Sequence, residues 1–283
     1  MKKVGFIDLY INEWHADNYP KWIEEVSKNL GLDYKVCYSY AEVDISPVNG
    51  KTTDEWCKTQ NAEKCASIKE LCEKCDNIAI LAPSNPEVHL NLAKEAFKYC
   101  AGKNVYIDKT FAPDLKTAEE IFNLAKEYNV NIFSTSALRY ASELYEFENE
   151  KEIVVKGGGG LFQEYCIHQV EILVRVMGLG AKKVKVESAY GDGQIVDIIY
   201  ADGRKAQFNY DKTSDFYATV TTKDGKVVDK HLASDYFKNV LETIVIFFET
   251  GKTDFDKSQT LEVMKIREGA IKGTENLGVW IDL

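Results

Sequence analysis

Apolar and polar positions follow two different rhythms along this chain of 283 residues. In the first half, short apolar runs at 4–9, 34–38, 78–82, 105–107 and 130–134 alternate with segments whose apolar residues recur every three or four positions. The run at 78–82 is almost continuously apolar, the pattern of a strand covered on both faces. Trp22, Ile23, Val26 and Leu30 mark a helix that stops at Gly31, and a second helix spans 62–75. A third opens at Pro86, carries Val88, Leu92, Ala93 and Ala96 on one face and ends near Gly102; a fourth covers 114–128. Strand–helix alternation with short connections predicts right-handed crossovers and a parallel sheet. Residues 41–59 are polar and irregular, long for a connection in such a unit, and are read as a functional excursion.

After about Ser142 the pattern changes. Strand-like segments at 161–165, 184–189, 195–200, 206–210, 217–222 and 227–232 follow one another, with Asp202-Gly203 and Asp224-Gly225 as hairpin signals. Helices are expected at 167–177, 234–249 and 258–273. The glycine run 157–160 reads as a flexible turn; a phosphate loop would need a helix after it, and a strand is expected instead. The predicted fold class is α/β. A doubly wound parallel sheet over 1–141 precedes an α+β domain with a mainly antiparallel sheet over 142–283.

Composition narrows the function. With 45% apolar and 12% aromatic residues the chain can build two ordinary cores. A net charge of −10 argues against nucleic acid or an anionic membrane as partner. No stretch approaches the ~18–20 apolar residues of a membrane span, and the opening MKKVGFIDLY meets Asp8 too early for a secretory signal, so a cytoplasmic location is expected. The seven cysteines suit reduced thiols. Cys72 and Cys75 form a C-x-x-C without a second ligand pair, and Cys65, Ile68 and Cys72 read as one helix face rather than a metal site.

In a doubly wound sheet, ligands bind beyond the carboxyl ends of the strands. That directs attention to residues 8–12, 39–42, 83–85, 108–110 and 135–140. Three blocks there and beyond carry a resemblance: IAILAPSNPEVH with Pro83 and His89, GKNVYIDKTFA with Asp108 and Lys109, and YCIHQVEIL with His168 and Glu171. They are similar to the T-P-x-x-x-H, G-K-x-V-x-x-E-K-P-x-A and G-x-H-x-x-D blocks of the glucose–fructose oxidoreductase/inositol dehydrogenase (Gfo/Idh/MocA) family. Asp108 stands for the family's Glu, Thr110 for its Pro and Glu171 for its Asp. The resemblance implies hydride exchange between NAD or NADP and a carbinol carbon of a sugar, polyol or similar small molecule. Lys109 would position the substrate hydroxyl and His168 would act as acid/base, a role an imidazole fills near neutral pH. Glu171 would orient His168 or bind substrate hydroxyls, Arg139 and Tyr140 would contact the substrate or anchor the domain interface, and Tyr165 would contact substrate. Asp8, Leu9, Tyr10, Asn12, Pro83, Ser84, Asn85, His89 and Asp108 would contact the cofactor. A homodimer or higher homo-oligomer through the C-terminal sheet is also implied.

The cofactor loop departs from this pattern. Where a dinucleotide fold uses G-x-G-x-x-G, the chain reads Asp8-Leu9-Tyr10-Ile11-Asn12-Glu13-Trp14-His15, with no glycine and two added carboxylates. The second strand ends Tyr38-Ser39-Tyr40, with Glu42 two residues on and no arginine for a 2′-phosphate. Two readings stand at this point: an oxidoreductase with a divergent loop, or the family fold turned to small-molecule binding, regulation or nicotinamide-free chemistry. Tyr10, Trp14, Trp56 and Tyr140 would line a stacking cleft in either. Metal-dependent hydrolysis would need more than the His168–Glu171 pair.

Overall fold

Eleven elements of the first half alternate along the chain as their patterning requires. In the computed structural model, which describes residues 1–188, 191 and 193–283, they are β1 (Lys2–Asp8), α1 (Trp14–Asn29), β2 (Tyr34–Ala41), α2 (Thr53–Gln60), β3 (Glu63–Lys64), α3 (Ile68–Lys74), β4 (Asn77–Ile80), α4 (Pro86–Phe97), β5 (Asn104–Ile107), α5 (Leu115–Glu127) and β6 (Asn131–Phe133). The strands form one parallel sheet in the order β3-β2-β1-β4-β5-β6. Its centre is apolar on both faces, with Val4, Phe6, Ile7, Ile78, Ile80, Val105 and Ile107 fully buried. The helix expected over 62–75 is shorter. Glu63 and Lys64 pair with β2 as an edge strand, and the Ser67 side chain caps α3 by accepting from Glu70 N. The irregular excursion also contains a helix, because Thr52 and Glu55 complete a capping box at the head of α2.

The second half holds β7 (Glu152–Gly157), α6 (Phe162–Met177), β8 (Ala181–Ser188), β9 (Gln194–Tyr200), β10 (Lys205–Tyr210), β11 (Tyr217–Thr221), β12 (Val227–His231), α7 (Tyr236–Thr250), α8 (Lys257–Gly273) and β13 (Trp280–Asp282). The seven described strands run β12-β11-β7-β10-β9-β8-β13, antiparallel throughout except for β7 beside β10. Helices α6 and α8 cover the face that buries Ile153, Val155, Val184, Val186, Ile198 and Phe208. Residues 161–165, expected as a strand, open α6 instead. Phe162, Cys166, Ile167 and Val170 are buried together at helical spacing, which extends α6 back to Phe162. The strand actually preceding the glycines is β7, with Ile153, Val155 and Gly157 facing inward at period two. Ala189, the last residue of the strand expected at 184–189, lies outside the described residues.

The chain divides into two units, Met1–Ser134 with Leu241–Asp254, and Thr135–Val240 with Phe255–Leu283. The boundary expected after 141 therefore falls seven residues earlier, and the first unit is discontinuous. The reason lies in the second half of α7. Phe247 packs on Phe133 with ring centres 5.5 Å apart, Phe248 stacks on Tyr34 at 6.3 Å, and Glu249 accepts from Tyr34 Oη and Lys2 Nζ. Among the described residues no helix is long and apolar enough to cross a membrane.

Candidate active site

The order of the parallel sheet reverses between β1 and β4, which opens a crevice beyond their carboxyl ends. Leu9 and Tyr10 leave β1 there, Pro83, Ser84 and Asn85 follow β4, and Lys109 follows β5. These six predicted site residues thus share one edge. Ala82 bends the chain at the end of β4 with φ of 59°, a left-handed conformation that costs a non-glycine residue about 1–2 kcal/mol. Asn85 N donates to Ala82 O across this bend. Lys109 is half-buried; its backbone N–H donates to Asp108 Oδ1 at 2.8 Å and its Nζ lies 3.5 Å from Pro83 O.

Four residues expected to contact a cofactor are instead buried by the fold. His89 has both ring nitrogens against backbone carbonyls, Nδ1 at 3.1 Å from Phe111 O and Nε2 on Leu81 O, and burial holds its pKa below the usual histidine range. Asn12 Nδ2 donates to Thr52 O, and Asn12 O accepts from Ser46 Oγ, so the excursion after β2 straps the β1–α1 turn. Asp108 accepts from His15 Nδ1, Tyr106 Oη and Lys109 N. Burial works against its charge, but His15, Lys109 and these hydrogen bonds prevail and hold its pKa low. His15 in turn stacks on Tyr19 at 4.8 Å. Asp8 is buried with Oδ2 unbonded, and burial, followed by the neighbouring Glu13 carboxylate, pushes its pKa well up.

Glu13, one of the two carboxylates added in this turn, has a structural role that the sequence reading did not assign. It is the N-cap of α1, and its carboxylate accepts from His15 N at 2.8 Å and Ala16 N at 2.5 Å. Burial raises its pKa to about 7 against the opposing pull of His15. A dinucleotide pyrophosphate needs such free N–H groups at the head of the first helix and a glycine loop through which to approach them. Here the N–H groups are taken and two carboxylates stand beside them. The turn as built does not fit a pyrophosphate.

In the second unit, the site is built on α6. His168 lies in its second turn, half-buried, rather than at the helix start. Its Nδ1 is 2.6 Å from Ser136 Oγ, and Tyr165 and Phe216 flank the ring edge-on at 5.5 and 6.1 Å. Ser136 is itself held, since its backbone N–H donates to Glu171 Oε1 at 3.1 Å. Glu171 Oε2 meets Arg139 Nη1 at 3.3 Å, and the Arg139 guanidinium lies 3.8 Å over the Phe255 ring and bonds Gln259. Burial raises the Glu171 pKa despite Arg139. Glu171, Arg139 and Tyr140, expected at the substrate, are each no more than 5% exposed, and Glu171 with Arg139 supports Ser136 from beneath. Trp56 is likewise buried, so of the expected stacking cleft only Tyr10 and Trp14 reach solvent.

The glycine run proves to be a packing platform rather than a free turn. A Cβ on Gly157 would stand 2.3 Å from the Phe216 ring, one on Gly158 2.0 Å from Asp211 O, and one on Gly159 2.1 Å from the Tyr165 ring. The two rings that flank His168 are therefore seated on glycine backbone. Next to Phe216 opens a cavity of about 660 Å³ lined by Ser214, Asp215, His231, Asp235 and Tyr236. Glu143 fixes its wall by accepting from Ala233 N, Ser234 N and Ser234 Oγ. Among the described residues no group of three or more His, Cys, Asp or Glu is placed to hold a metal; Cys72 and Cys100 approach to 3.4 Å between sulfurs inside the first core.

No protein-family model matches the chain, and no curated protein matches it in sequence. Solved structures do match, end to end. The scyllo-inositol dehydrogenase of Lactobacillus casei, solved with NAD(H) and scyllo-inositol, is 13% identical and superposes with a TM-score of 0.75 over 99% of this chain and 98% of its own. The UDP-N-acetylglucosamine 3-dehydrogenase of Acidithiobacillus ferrooxidans, 11% identical, gives 0.74 over 96% and 97%. An NAD-binding oxidoreductase of Klebsiella pneumoniae, also 11% identical, gives 0.74 over 99% and 98%. A parallel six-stranded sheet with its switch point, followed by a largely antiparallel sheet, is common ground at this level, and the chain has along its whole length the fold of the glucose–fructose oxidoreductase/inositol dehydrogenase family.

Proposed function

We propose that the protein is an oxidoreductase exchanging hydride between a nicotinamide dinucleotide, NAD or NADP, and a carbinol carbon of a sugar, polyol or related small molecule. One observation carries the reading. The fold matches dehydrogenases of inositols and nucleotide sugars from end to end, and His168 and Lys109 both stand part-exposed on scaffolds that hold them. A bound dinucleotide would supply the hydride acceptor or donor. The chain's own part is to bind the substrate and move its hydroxyl proton. Lys109, a charged donor at the sheet edge, suits holding a hydroxyl oxygen. His168 suits taking the proton, since an imidazole can do so near neutral pH and Ser136 Oγ at Nδ1 fixes the orientation of the ring. The cavity beside Phe216 offers aromatic and carboxylate walls for a polyhydroxylated ring, with no lysine or arginine to favour a phosphorylated one. We further infer a cytoplasmic enzyme, in keeping with seven free thiols, that pairs with a second copy through the open face of the seven-stranded sheet.

The test is a screen of inositols, sugars and amino sugars with NAD and NADP, followed by His168→Ala and Lys109→Ala. Each variant should lose ~10²–10⁴-fold in turnover while remaining folded. Near-normal rates in both would remove the assignment.

A further inference from the structure

We propose that Glu13 is an internal anion seated in the place of a cofactor phosphate, and that a dinucleotide binds this chain only by displacing it. The inference rests on the oxidoreductase reading and concerns the one subsite where the structure disagrees with it. The head of α1 offers the positive end of the helix dipole and unsatisfied N–H groups, the features that draw a phosphate. Glu13 supplies the same chemistry from within: two carboxylate oxygens on the N–H groups of His15 and Ala16. Asp17 N is also satisfied, by Glu13 O.

The rest of the turn is arranged around this occupant. Ser46 and Thr52 of the excursion after β2 grip Asn12, and Val43 N donates to Leu9 O, so the backbone before Glu13 is tied on both sides. The groups facing the carboxylate are Asp8 from β1, Asp108 from the end of β5, and His15 and Tyr19 from α1, with Lys109 beyond Asp108. An incoming pyrophosphate would add two charges to a pocket already holding three carboxyl groups. It therefore competes with Glu13 for the N–H groups and is repelled by it while both are ionised. Protonating Glu13 relieves both costs, and with a pKa near 7 this falls within the working pH range. Affinity should then fall as pH rises through 7.

The experiment is a fluorescence titration of the full-length protein with NADH, and with ADP-ribose as a calorimetric probe of the pyrophosphate half, at pH 6.0 and 8.0. The wild-type chain is compared with Glu13→Ser, which keeps a capping oxygen, and Glu13→Gln, which keeps the shape without the charge. Expected are weaker wild-type binding at pH 8.0 than at pH 6.0, and a gain of ~10-fold or more at pH 8.0 in both variants, with the pH dependence flattened. Wild-type binding that neither variant improves would overturn the inference and leave the oxidoreductase reading standing. No binding by any of the three at millimolar ligand, with circular dichroism showing each folded, would overturn both.

Discussion

At the scale of single residues, the proposed site depends on what lies under its candidate reacting groups. His168 is aimed by Ser136, Ser136 by Glu171, and its ring is walled by Tyr165 and Phe216, both resting on glycines. Gly159→Ala should therefore push the Tyr165 ring aside. We expect turnover to fall ~10-fold or more, since small misplacements at a reacting centre are costly, with the far-ultraviolet spectrum unchanged. Unaltered kinetics in a folded variant would show that Tyr165 is not part of the site. His168 and Lys109 could be nominated from the sequence because short motifs carry them. The capping role of Glu13 could not, because a glutamate becomes a helix cap only through the local course of the backbone, and the helical pattern was visible only from Trp22. Ser136 was equally hidden, for nothing in its neighbours announces a histidine 32 positions away.

At the scale of elements, α6 carries both the candidate acid/base and Glu171, one partner of a buried ion pair with Arg139. Removing one partner of such a pair strands the other charge in the core. Arg139→Ala should destabilise the protein by about 3–5 kcal/mol in urea unfolding, whereas Arg139→Met combined with Glu171→Leu should recover most of it. A loss no smaller in the double variant would mean that Arg139 acts mainly through its stacking on Phe255. The alternating elements of the first half were legible almost throughout, since a parallel sheet announces itself in continuous apolar runs. The second half was harder. Residues 161–165 are bulky and apolar at both ends and too few to show a helical period of their own, and only the burial of Phe162 on the same face as Cys166 and Val170 joins them to the helix that follows. The strand at 152–157 ends in glycine, which weakens the strand signal where it was needed.

At the scale of the whole molecule, the two sheets have different surroundings. The seven-stranded sheet is covered by helices on one face, while the other carries Val154, Ile195, Ile199 and Trp280, only partly buried. Sedimentation should find a dimer, and Ile199→Lys should shift it to monomer with little change in thermal stability. A wild-type monomer at micromolar concentration would rule this face out as a self-association surface. The extent of each unit was only half legible from sequence. The change of pattern near Ser142 gave the approximate place of the first crossing, but the return of 241–254 rests on rings and one carboxylate that find partners more than 100 residues away.

That return has a consequence for how the protein comes into being. A ribosome that has made β6 has supplied every strand of the parallel sheet, yet Tyr34 and Phe133 still lack the rings that cover them. Those rings arrive only after roughly 110 further residues, on the order of ten seconds at ordinary elongation speeds. During that interval β7 to β12, six of the seven described strands of the second sheet, are made while the first unit is unfinished. The order of synthesis thus runs against the order of completion, and the nascent first unit is the part of this protein with most to gain from a chaperone.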